Sequence, residues 1–338
     1  MRLITAVILF FFLVIQAAYA QSSYCNGTAA YPCIVQDTLD NNPTLKNWRD
    51  QHMMIQASQT TGNVIGLASL WMSGSAMPSV AGWQAIRSNV FYSTRHKIKR
   101  IAVVDLRGES HGYLNQDAIT LAIKHDWVNR DKTHVQALQA EHTWLQSLRK
   151  HAVIAVLTDE QFDTGDFADS KFITQMSVQS EADVVKKLAM GYLRLTVTDH
   201  MAPNVAETDR FVDFVKTLPS DTWVHFHCRG GKGRTATFMI MFDMLHNADK
   251  VSFNDIIKRQ AAVPPYYDVT KVARKNQELT IYYQQRLAFL KEFYRFSQDY
   301  LHGYTGTWKE WKNSRQNLLE TQFRIRKLSC QRGLACGA

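Results

Sequence analysis

A cysteine and an arginine in residues 225–235 have the spacing of a phosphate-transfer site. Cys228 is followed by five residues and then by Arg234, and three of the five are glycines, at positions 230, 231 and 233. Glycines let the backbone turn tightly, so that successive N–H groups point inward and form an anion-binding concavity. We call residues 228–234 the anion loop, and we expect Gly230, Gly231 and Gly233 to form its phosphate-binding backbone.

Cys228 has the surroundings of a nucleophile. Inward-facing amides, a following helix N-terminus and Arg234 favour a thiolate, and such surroundings lower a cysteine pKa from about 8.5 to roughly 3.5–7.5. Arg234 offers two parallel donors to phosphate oxygens, which stabilise charge that develops in a transition state. The hydroxyl of Thr235 is near enough in sequence to donate to the sulfur. These residue types predict attack on a phosphate ester through a covalent intermediate.

The elements that flank the anion loop strengthen this interpretation. Trp223, Val224 and Phe226 indicate a short strand before it, and residues 236–245 have apolar positions at helical spacing. A helix that starts directly after the loop adds its partial positive charge to the anion site. A buried structural cysteine, with Arg234 capping a turn, would explain neither the glycines nor this strand-to-helix setting.

Two further segments place polar residues after predicted strands. Residues 101–104 form an apolar run that is followed by Asp105, Arg107, Glu109 and His111, and residues 192–197 precede Asp199 and His200. Polar groups at the carboxyl ends of parallel strands commonly bind ligands in α/β enzymes. A loop stabilised by its own salt bridges is the alternative for the first segment. Asp199 lies 29 residues before Cys228 and could protonate a departing alkoxide. His200 either contacts phosphate or fixes the loop.

His225 and His227 alternate on one face of the strand before Cys228, which would suit a metal pair. No third ligand is in view, and a histidine beside a nucleophile more often hydrogen-bonds the loop and positions the sulfur. We therefore expect His227 to assist catalysis in this way, and we expect no metal and no other cofactor.

Taken together, the segment from Asp105 to Gly112, the Asp199 segment and the anion loop resemble the cysteine-dependent protein tyrosine phosphatase superfamily, and most closely the bacterial phosphatase-like phytases. The resemblance implies an α/β fold, a phosphatase core with a parallel-rich sheet flanked by helices, and a small, partly barrelled β-domain inserted in it. It implies that Asp199 is the general acid, that Asp105, Arg107, Glu109 and His111 line the substrate pocket, and that the substrate is a myo-inositol polyphosphate such as phytate.

The anion loop departs from the family pattern at two positions. Arg229 and Lys232 are both basic, whereas the family usually has an acidic or small residue after the cysteine. The two basic residues resemble the loop of phosphoinositide phosphatases and would favour substrates with several phosphates. A phosphatase of phosphoinositide lipids or phosphotyrosine proteins is therefore the alternative function. A phosphate-binding module without activity is disfavoured, because nucleophile, arginine and acid are all present.

Composition fits a folded protein with an anionic partner. Of the 338 residues, 46% are hydrophobic and 20% are charged, and the formal net charge is +9. A basic surface attracts polyphosphorylated small molecules. No Lys/Arg block with interleaved aromatic residues is present, so a nucleic-acid partner is not expected. The oligomeric state stays open.

The first twenty residues have a basic start, a short apolar run and a small-residue ending at Ala20, which predicts a cleaved signal peptide and a periplasmic or secreted protein without stable membrane insertion. In an oxidising compartment the four cysteines near the termini would form disulfides, and neighbour pairing, Cys25 with Cys33 and Cys330 with Cys336, is the simplest arrangement. Pairing between the termini is the alternative. We expect the core at residues 21–112 and 191–301, the inserted β-domain at 113–190, and a helical extension at 302–338.

Overall fold

A computed structural model describes residues 25–95, 97–273 and 275–317, without the side chains of residues 60 and 61. The predicted signal peptide, Cys330, Cys336 and the end of the predicted C-terminal helix lie outside these residues. Two sheets with flanking helices make up the fold, so the predicted α/β class is confirmed.

The first sheet is five-stranded and carries the anion loop. Its order is β10-β4-β11-β3-β2, with β2 at Arg49–Asp50, β3 at Met72–Ala76, β4 at Arg100–Asp105, β10 at Gly191–Arg194 and β11 at Thr222–Cys228. All neighbours are parallel except β2 and β3. Every residue of β11 is buried, as expected for a central strand whose two faces are both covered.

The second sheet is six-stranded and mostly antiparallel. Its order is β8-β7-β1-β6-β5-β9, with β1 at Cys33–Gln36, β5 at His111–Leu114, β6 at Asp117–Ala122, β7 at Val153–Thr158, β8 at Lys171–Thr174 and β9 at Val178–Gln179. This sheet corrects the predicted boundaries, because β1 and β5 come from chain assigned to the core. The β-domain therefore includes a strand from the N-terminal segment, held by antiparallel pairing of β1 with β6.

The helices begin at polar caps that the sequence supplies. They are α1 at Gln51–Thr61, α2 at Val80–Ser93, α3 at His134–Leu148, α4 at Asp159–Thr164, α5 at Glu181–Lys187, α6 at Val205–Thr217, α7 at Gly233–Asn247, α8 at Phe253–Ala261 and α9 at Gln277–Leu301. Side chains such as those of Ser79, Thr133 and Asn204 accept a hydrogen bond from the first turn. Residues 308–317 are helical as well.

One strand differs from its prediction. The apolar run at residues 64–72 was expected to form an early core strand, but the strand is Met72–Ala76, and residues Leu67–Ser69 form a 3-10 turn. The small residues expected in a turn lie inside β3 because helix α7 packs closely there. A Cβ on Gly74 would lie 2.6 Å from the Met239 sulfur and 2.8 Å from a Thr235 methyl carbon.

Helix α7 lies at the centre of the main hydrophobic core. Phe238 and Phe242 of α7 pack with Phe226 of β11 and Phe211 of α6. This packing fixes the start of α7, and with it the end of the anion loop. Cys25 and Cys33 form a disulfide, as neighbour pairing predicts, whereas Cys228 is free. Within the described ranges, no helix combines the length and apolarity needed to cross a membrane.

Candidate active site

Three parallel strands end at the site. Strand β11 ends at Cys228, β4 ends beside it at Asp105, and β10 ends at Arg194, with His227 paired to Asp105 and Arg194 paired to Asp105 across the sheet. The loops that follow these strands meet at one edge, where α/β proteins place their ligand sites. The acid loop, defined as residues 195–204 between β10 and α6, thereby reaches the anion loop.

Cys228 lies at the base of a cavity of about 550 Å³ and is 3% exposed. The Thr235 hydroxyl donates to its sulfur over 3.2 Å, as the sequence predicts. The loop closes through Gly231, whose φ of +64° belongs to the left-handed region. A Cβ there would lie 2.3 Å from the Ala76 backbone nitrogen, so only glycine fits.

The guanidinium of Arg234 is held from behind the cavity. Its two terminal nitrogens donate to Glu109, with Nη1 2.5 Å from Oε2 and Nη2 3.0 Å from Oε1. Nη1 also donates to the Val197 carbonyl over 3.1 Å. The Nε edge therefore remains for phosphate, rather than the two-pronged Nη edge that the sequence suggested. Although burial opposes it, the neighbouring carboxylates of Asp199 and Glu109 raise the pKa of Arg234 well above its usual value.

Asp199 stands next to that open edge. Its Oδ1 is 3.0 Å from Arg234 Nε, and its Oδ2 is 3.2 Å from His200 Nε2. Among the described residues, Arg234 Nε has no acceptor aligned with its N–H, so the first contact is an ion pair. The Asp199 side chain is 24% exposed and lines the cavity, as a proton donor to a bound substrate must.

His200 does both of the tasks that the sequence left open for it. It lines the cavity, and its Nδ1 is 2.9 Å from the Tyr283 hydroxyl of α9. Burial lowers the pKa of His200, and the Asp199 carboxylate partly opposes this shift. A largely neutral imidazole can accept or donate a hydrogen bond without adding charge.

The four polar residues at positions 105–111 correct a prediction. Asp105, Arg107, Glu109 and His111 are fully buried, and none of them is among the described residues that line the cavity. The segment joins β4 of one sheet to β5 of the other, so its side chains are enclosed where the sheets meet. Salt bridges within the structure, which were the alternative, hold it.

Arg107 and Glu109 support Arg234 from one side of this buried segment. Arg107 Nε donates to Glu109 Oε1 over 2.8 Å, and its Nη1 donates to Asp37 Oδ2 over 3.1 Å. Glu109 thus bridges two guanidinium groups. Although burial alone would raise the pKa of Glu109, Arg234 and Arg107 hold it well below its usual value.

Asp105 and His111 belong to a second buried network. His111 Nε2 lies 3.1 Å from Asp105 Oδ2 and 2.9 Å from Glu181 Oε2, and its Nδ1 lies 3.3 Å from Glu141 Oε2. Arg194 donates to Asp105 over 2.8 Å. Burial and two arginines lower the pKa of His111, but Asp105 and Glu141 outweigh them and raise it to about 9. His111 is therefore cationic at neutral pH.

The histidines before Cys228 do not contact the anion loop as predicted. His227 Nε2 is 2.7 Å from Glu181 Oε1, and His225 lies between the hydroxyls of Ser73 and Ser75. Within the described chain, His227 Nδ1 has no hydrogen-bond partner. Sequence reasoning missed Glu181, which comes from the first turn of α5, 46 residues away.

Ligand atoms of Asp105, Glu181 and His227 lie within 4.8 Å of one another, close enough to be considered as a metal site. The 2.7 Å contact between His227 and Glu181 is a hydrogen bond, however. Two ligands on one metal, each about 2.0–2.1 Å from it in tetrahedral geometry, would stand farther apart. The three residues as arranged form part of an ion-pair network.

Arg229 lines the cavity, but its charge is already matched. Its Nε donates to Asp37 over 2.9 Å, Nη1 to Asp126 over 2.7 Å and Nη2 to Asp159 over 2.5 Å. The prediction that Arg229 adds a free cation to the anion loop is therefore wrong. Burial raises the pKa of Asp126 to about 7, with Arg229 opposing the shift.

Other cations in the cavity were not found from the sequence. Lys46 and Arg286 line it together with Lys232, and Arg286 is 1% exposed. Arg286 Nη2 donates to the Tyr267 hydroxyl over 2.5 Å, and a Cβ on Gly233 would lie 2.8 Å from its Nη1. Arg286 comes from the middle of α9, where its spacing resembled that of an ordinary surface residue.

The predicted site residues therefore divide into two groups. Those that line the cavity are Cys228, Arg229, Gly230, Lys232, Gly233, Arg234, Asp199 and His200, and those that lie behind it are Gly231, Thr235, His227, Asp105, Arg107, Glu109 and His111.

This fold, with a nucleophile-type cysteine, an arginine and an acid at one cavity, defines the protein tyrosine phosphatase-like class. Comparison with known proteins gives the family. The model of the PTP-like phytase family, described with the words inositol hexakisphosphate, matches residues 104–246. A PTP-like phytase structure from Bdellovibrio bacteriovorus is 33% identical, covers 83% of this chain and 94% of its own, and superposes with a TM-score of 0.66. The chain belongs to the PTP-like phytase family.

Two other relatives are longer proteins. The PTP-like myo-inositol phosphatase from Mitsuokella multacida, solved in complex with myo-inositol-(1,3,4,5)-tetrakisphosphate, is 29% identical with a TM-score of 0.76, over 87% of this chain and 49% of that one. Effector protein hopD2 of Pseudomonas syringae pv. tomato is 31% identical over 215 residues, 63% of this chain and 46% of its own. The chain thus spans about half the length of these relatives.

Proposed function

We propose that this protein is a cysteine-dependent phosphomonoester hydrolase that acts on myo-inositol polyphosphates such as phytate. The observation that carries the proposal is the cavity with Cys228 at its base, the Arg234 Nε edge and Asp199 beside it, and Lys46, Lys232 and Arg286 along its wall. The additional cations offer contacts to phosphates other than the one that reacts. Family membership supports the same substrate class.

The reaction proceeds in two steps with one phosphocysteine intermediate. In the first, the Cys228 thiolate attacks phosphorus, the ester P–O bond breaks, and Asp199 donates its proton to the departing alkoxide. In the second, water attacks the phosphorus, Asp199 as carboxylate accepts a proton from that water, and the S–P bond breaks. The Thr235 hydroxyl, 3.2 Å from the sulfur, stabilises the thiolate that leaves.

Arg234 and the loop amides stabilise the charge on the equatorial oxygens in both steps. Asp199 Oδ1 now contacts the Nε edge that would bind phosphate. A phosphate that enters replaces this contact and leaves the Asp199 carboxyl facing the leaving group. The buried Glu109 keeps the guanidinium in its plane throughout.

We also propose that the protein is exported to the periplasm or secreted. The apolar start of the chain and the disulfide between Cys25 and Cys33 support this, because disulfides persist in oxidising compartments.

The test is phosphate release from phytate, a phosphotyrosine peptide and a phosphoinositide, each with and without chelator. The proposal expects chelator-resistant preference for phytate that disappears in Cys228→Ser, with binding of phytate to that variant still measurable by calorimetry. Preference for the peptide or the lipid would refute the proposed substrate. Activity that survives Cys228→Ser would refute the mechanism.

A further inference from the structure

We infer that Trp127 is a positioning residue for the proton donor: its indole fixes the acid loop against the anion loop before any substrate binds. The inference rests on the proposed function, since Asp199 matters as a donor only in that reaction. Trp127 lies in the loop between β6 and α3, which joins the six-stranded sheet to α3. It therefore connects the β-domain to the catalytic loops.

The contact is made to the backbone of the donor itself. Trp127 Nε1 donates to the Asp199 carbonyl over 3.1 Å. Backbone bonds within the acid loop are few around this point: Val197 N donates to the Leu195 carbonyl and Met201 N to the Thr198 carbonyl. His200 follows with a φ of +66°, a left-handed conformation that is costly outside glycine and must be held by its surroundings. The indole supplies one such restraint.

Trp127 is itself held in place. The Arg130 guanidinium lies 4.3 Å from the centre of its ring, and Arg130 Nη2 donates to the Tyr282 hydroxyl over 3.0 Å. The Tyr282 ring meets the indole edge to face at 5.6 Å. Asn129 Nδ2 donates to the Gly108 carbonyl over 3.1 Å, which anchors the same loop to the buried 105–112 segment. The indole thus has a defined orientation.

A neighbouring residue of α9 holds the acid loop from its other side. The Tyr283 hydroxyl is 2.9 Å from His200 Nδ1, and the His125 ring meets the His200 ring edge to face at 5.7 Å. Tyr282 and Tyr283 therefore fix Trp127 and His200, the two groups on either side of the Asp199 backbone. In agreement with this arrangement, Asp199 Oδ1 already lies 3.0 Å from Arg234 Nε in the ligand-free structure.

A positioning role predicts a loss that depends on the leaving group. An inositol alkoxide needs a proton, whereas p-nitrophenolate leaves without one, so misplacement of Asp199 should affect the first substrate alone. We expect Trp127→Phe, which keeps the aromatic ring but loses the donor, to lower kcat for an inositol polyphosphate about tenfold. Trp127→Ala should lower it by up to about 100-fold, the scale of a displacement of about 1 Å. Hydrolysis of p-nitrophenyl phosphate should change less than threefold.

The decisive measurement is a double-mutant cycle with Asp199→Asn on both substrates. If Trp127 acts through Asp199, Trp127→Phe should add no loss in the Asp199→Asn background. Equal loss on both substrates, or full additivity with Asp199→Asn, would overturn the inference. Trp144→Phe is the matched control, because Trp144 lines a separate groove on α3.

A second readout does not depend on activity. Amide hydrogen exchange at residues 195–204 should become faster in Trp127→Phe and Trp127→Ala than in wild type and in Trp144→Phe, with circular dichroism confirming that each variant is folded. Unchanged exchange there would overturn the inference. If the wild-type protein releases no phosphate from any substrate, the proposed function fails, and the exchange measurement alone decides whether Trp127 positions the loop.

Discussion

The carboxylate of Glu109 accepts two hydrogen bonds from the guanidinium of Arg234, at 2.5 and 3.0 Å, and both side chains are buried. The pairing puts a negative charge directly behind an anion site. It is tolerated because Glu109 also contacts Arg107, so the carboxylate is shared between two cations. Its role is geometric: it commits the two terminal nitrogens and directs the Nε edge toward Asp199 and the cavity.

Glu109→Gln should therefore impair catalysis without a contact to substrate. An amide can accept from one guanidinium nitrogen but presents its NH2 group to the other, so Arg234 should tilt. We expect kcat/KM to fall by about 100-fold on phytate and on p-nitrophenyl phosphate alike, since Arg234 serves every phosphate. The free energy of unfolding should also fall, by about 3–5 kcal/mol, because a buried charge network loses one partner. Unchanged kinetics in the folded variant would contradict this role.

Asp199→Asn tests the proton donor. Turnover of phytate should fall by about 10²–10⁴-fold, the usual contribution of general acid–base catalysis. The first step on p-nitrophenyl phosphate should change little, because its leaving group needs no proton. Burst kinetics with this aryl phosphate would show the phosphocysteine accumulate, since the carboxylate that activates water is gone. Equal loss in the first step on both substrates would mean that another residue is the acid.

Arg286→Met tests recognition of additional phosphates. Arg286 lines the cavity beside Gly233 but does not belong to the anion loop. We expect KM for an inositol polyphosphate to rise about tenfold or more, while KM for p-nitrophenyl phosphate stays within threefold, because only the larger substrate reaches this wall. The matched control is Arg295→Met, an exposed position on the same helix. A parallel rise for both substrates would show that Arg286 acts on the reacting phosphate.

His111→Gln should act on stability and not on substrate binding. Its folded pKa of about 9 lies above the unfolded value of about 6.5, because Asp105 and Glu141 outweigh burial and the arginines. The stabilisation is therefore complete below about pH 6.5 and is lost as pH rises through about 9. Chemical denaturation should show the wild-type free energy of unfolding declining across this window more steeply than that of the variant. A raised KM with unchanged stability would instead return His111 to the substrate pocket.

Much of the fold could be predicted from short-range patterns. Helices α3, α6, α8 and α9 were placed within about two residues of their ends, because capping side chains and apolar periodicity are local signals. The boundary of the β-domain was not predicted, since strand β1 pairs with β6, which lies about 85 positions further along the chain. Nothing in residues 33–36 alone indicates that partner.

The site divides in the same way. By itself, the sequence determined the anion loop, the Thr235 contact and the order of the motifs, because the loop chemistry is contained in consecutive residues between one strand and one helix. Only the tertiary structure decided that Arg229 is neutralised by Asp37, Asp126 and Asp159, from 192, 103 and 70 positions away. It likewise buried the 105–111 side chains and brought Trp127 and Arg286 to the site. The state of a charge depends on which groups the fold places within a few ångströms of it, and residue spacing holds no record of such distant partners.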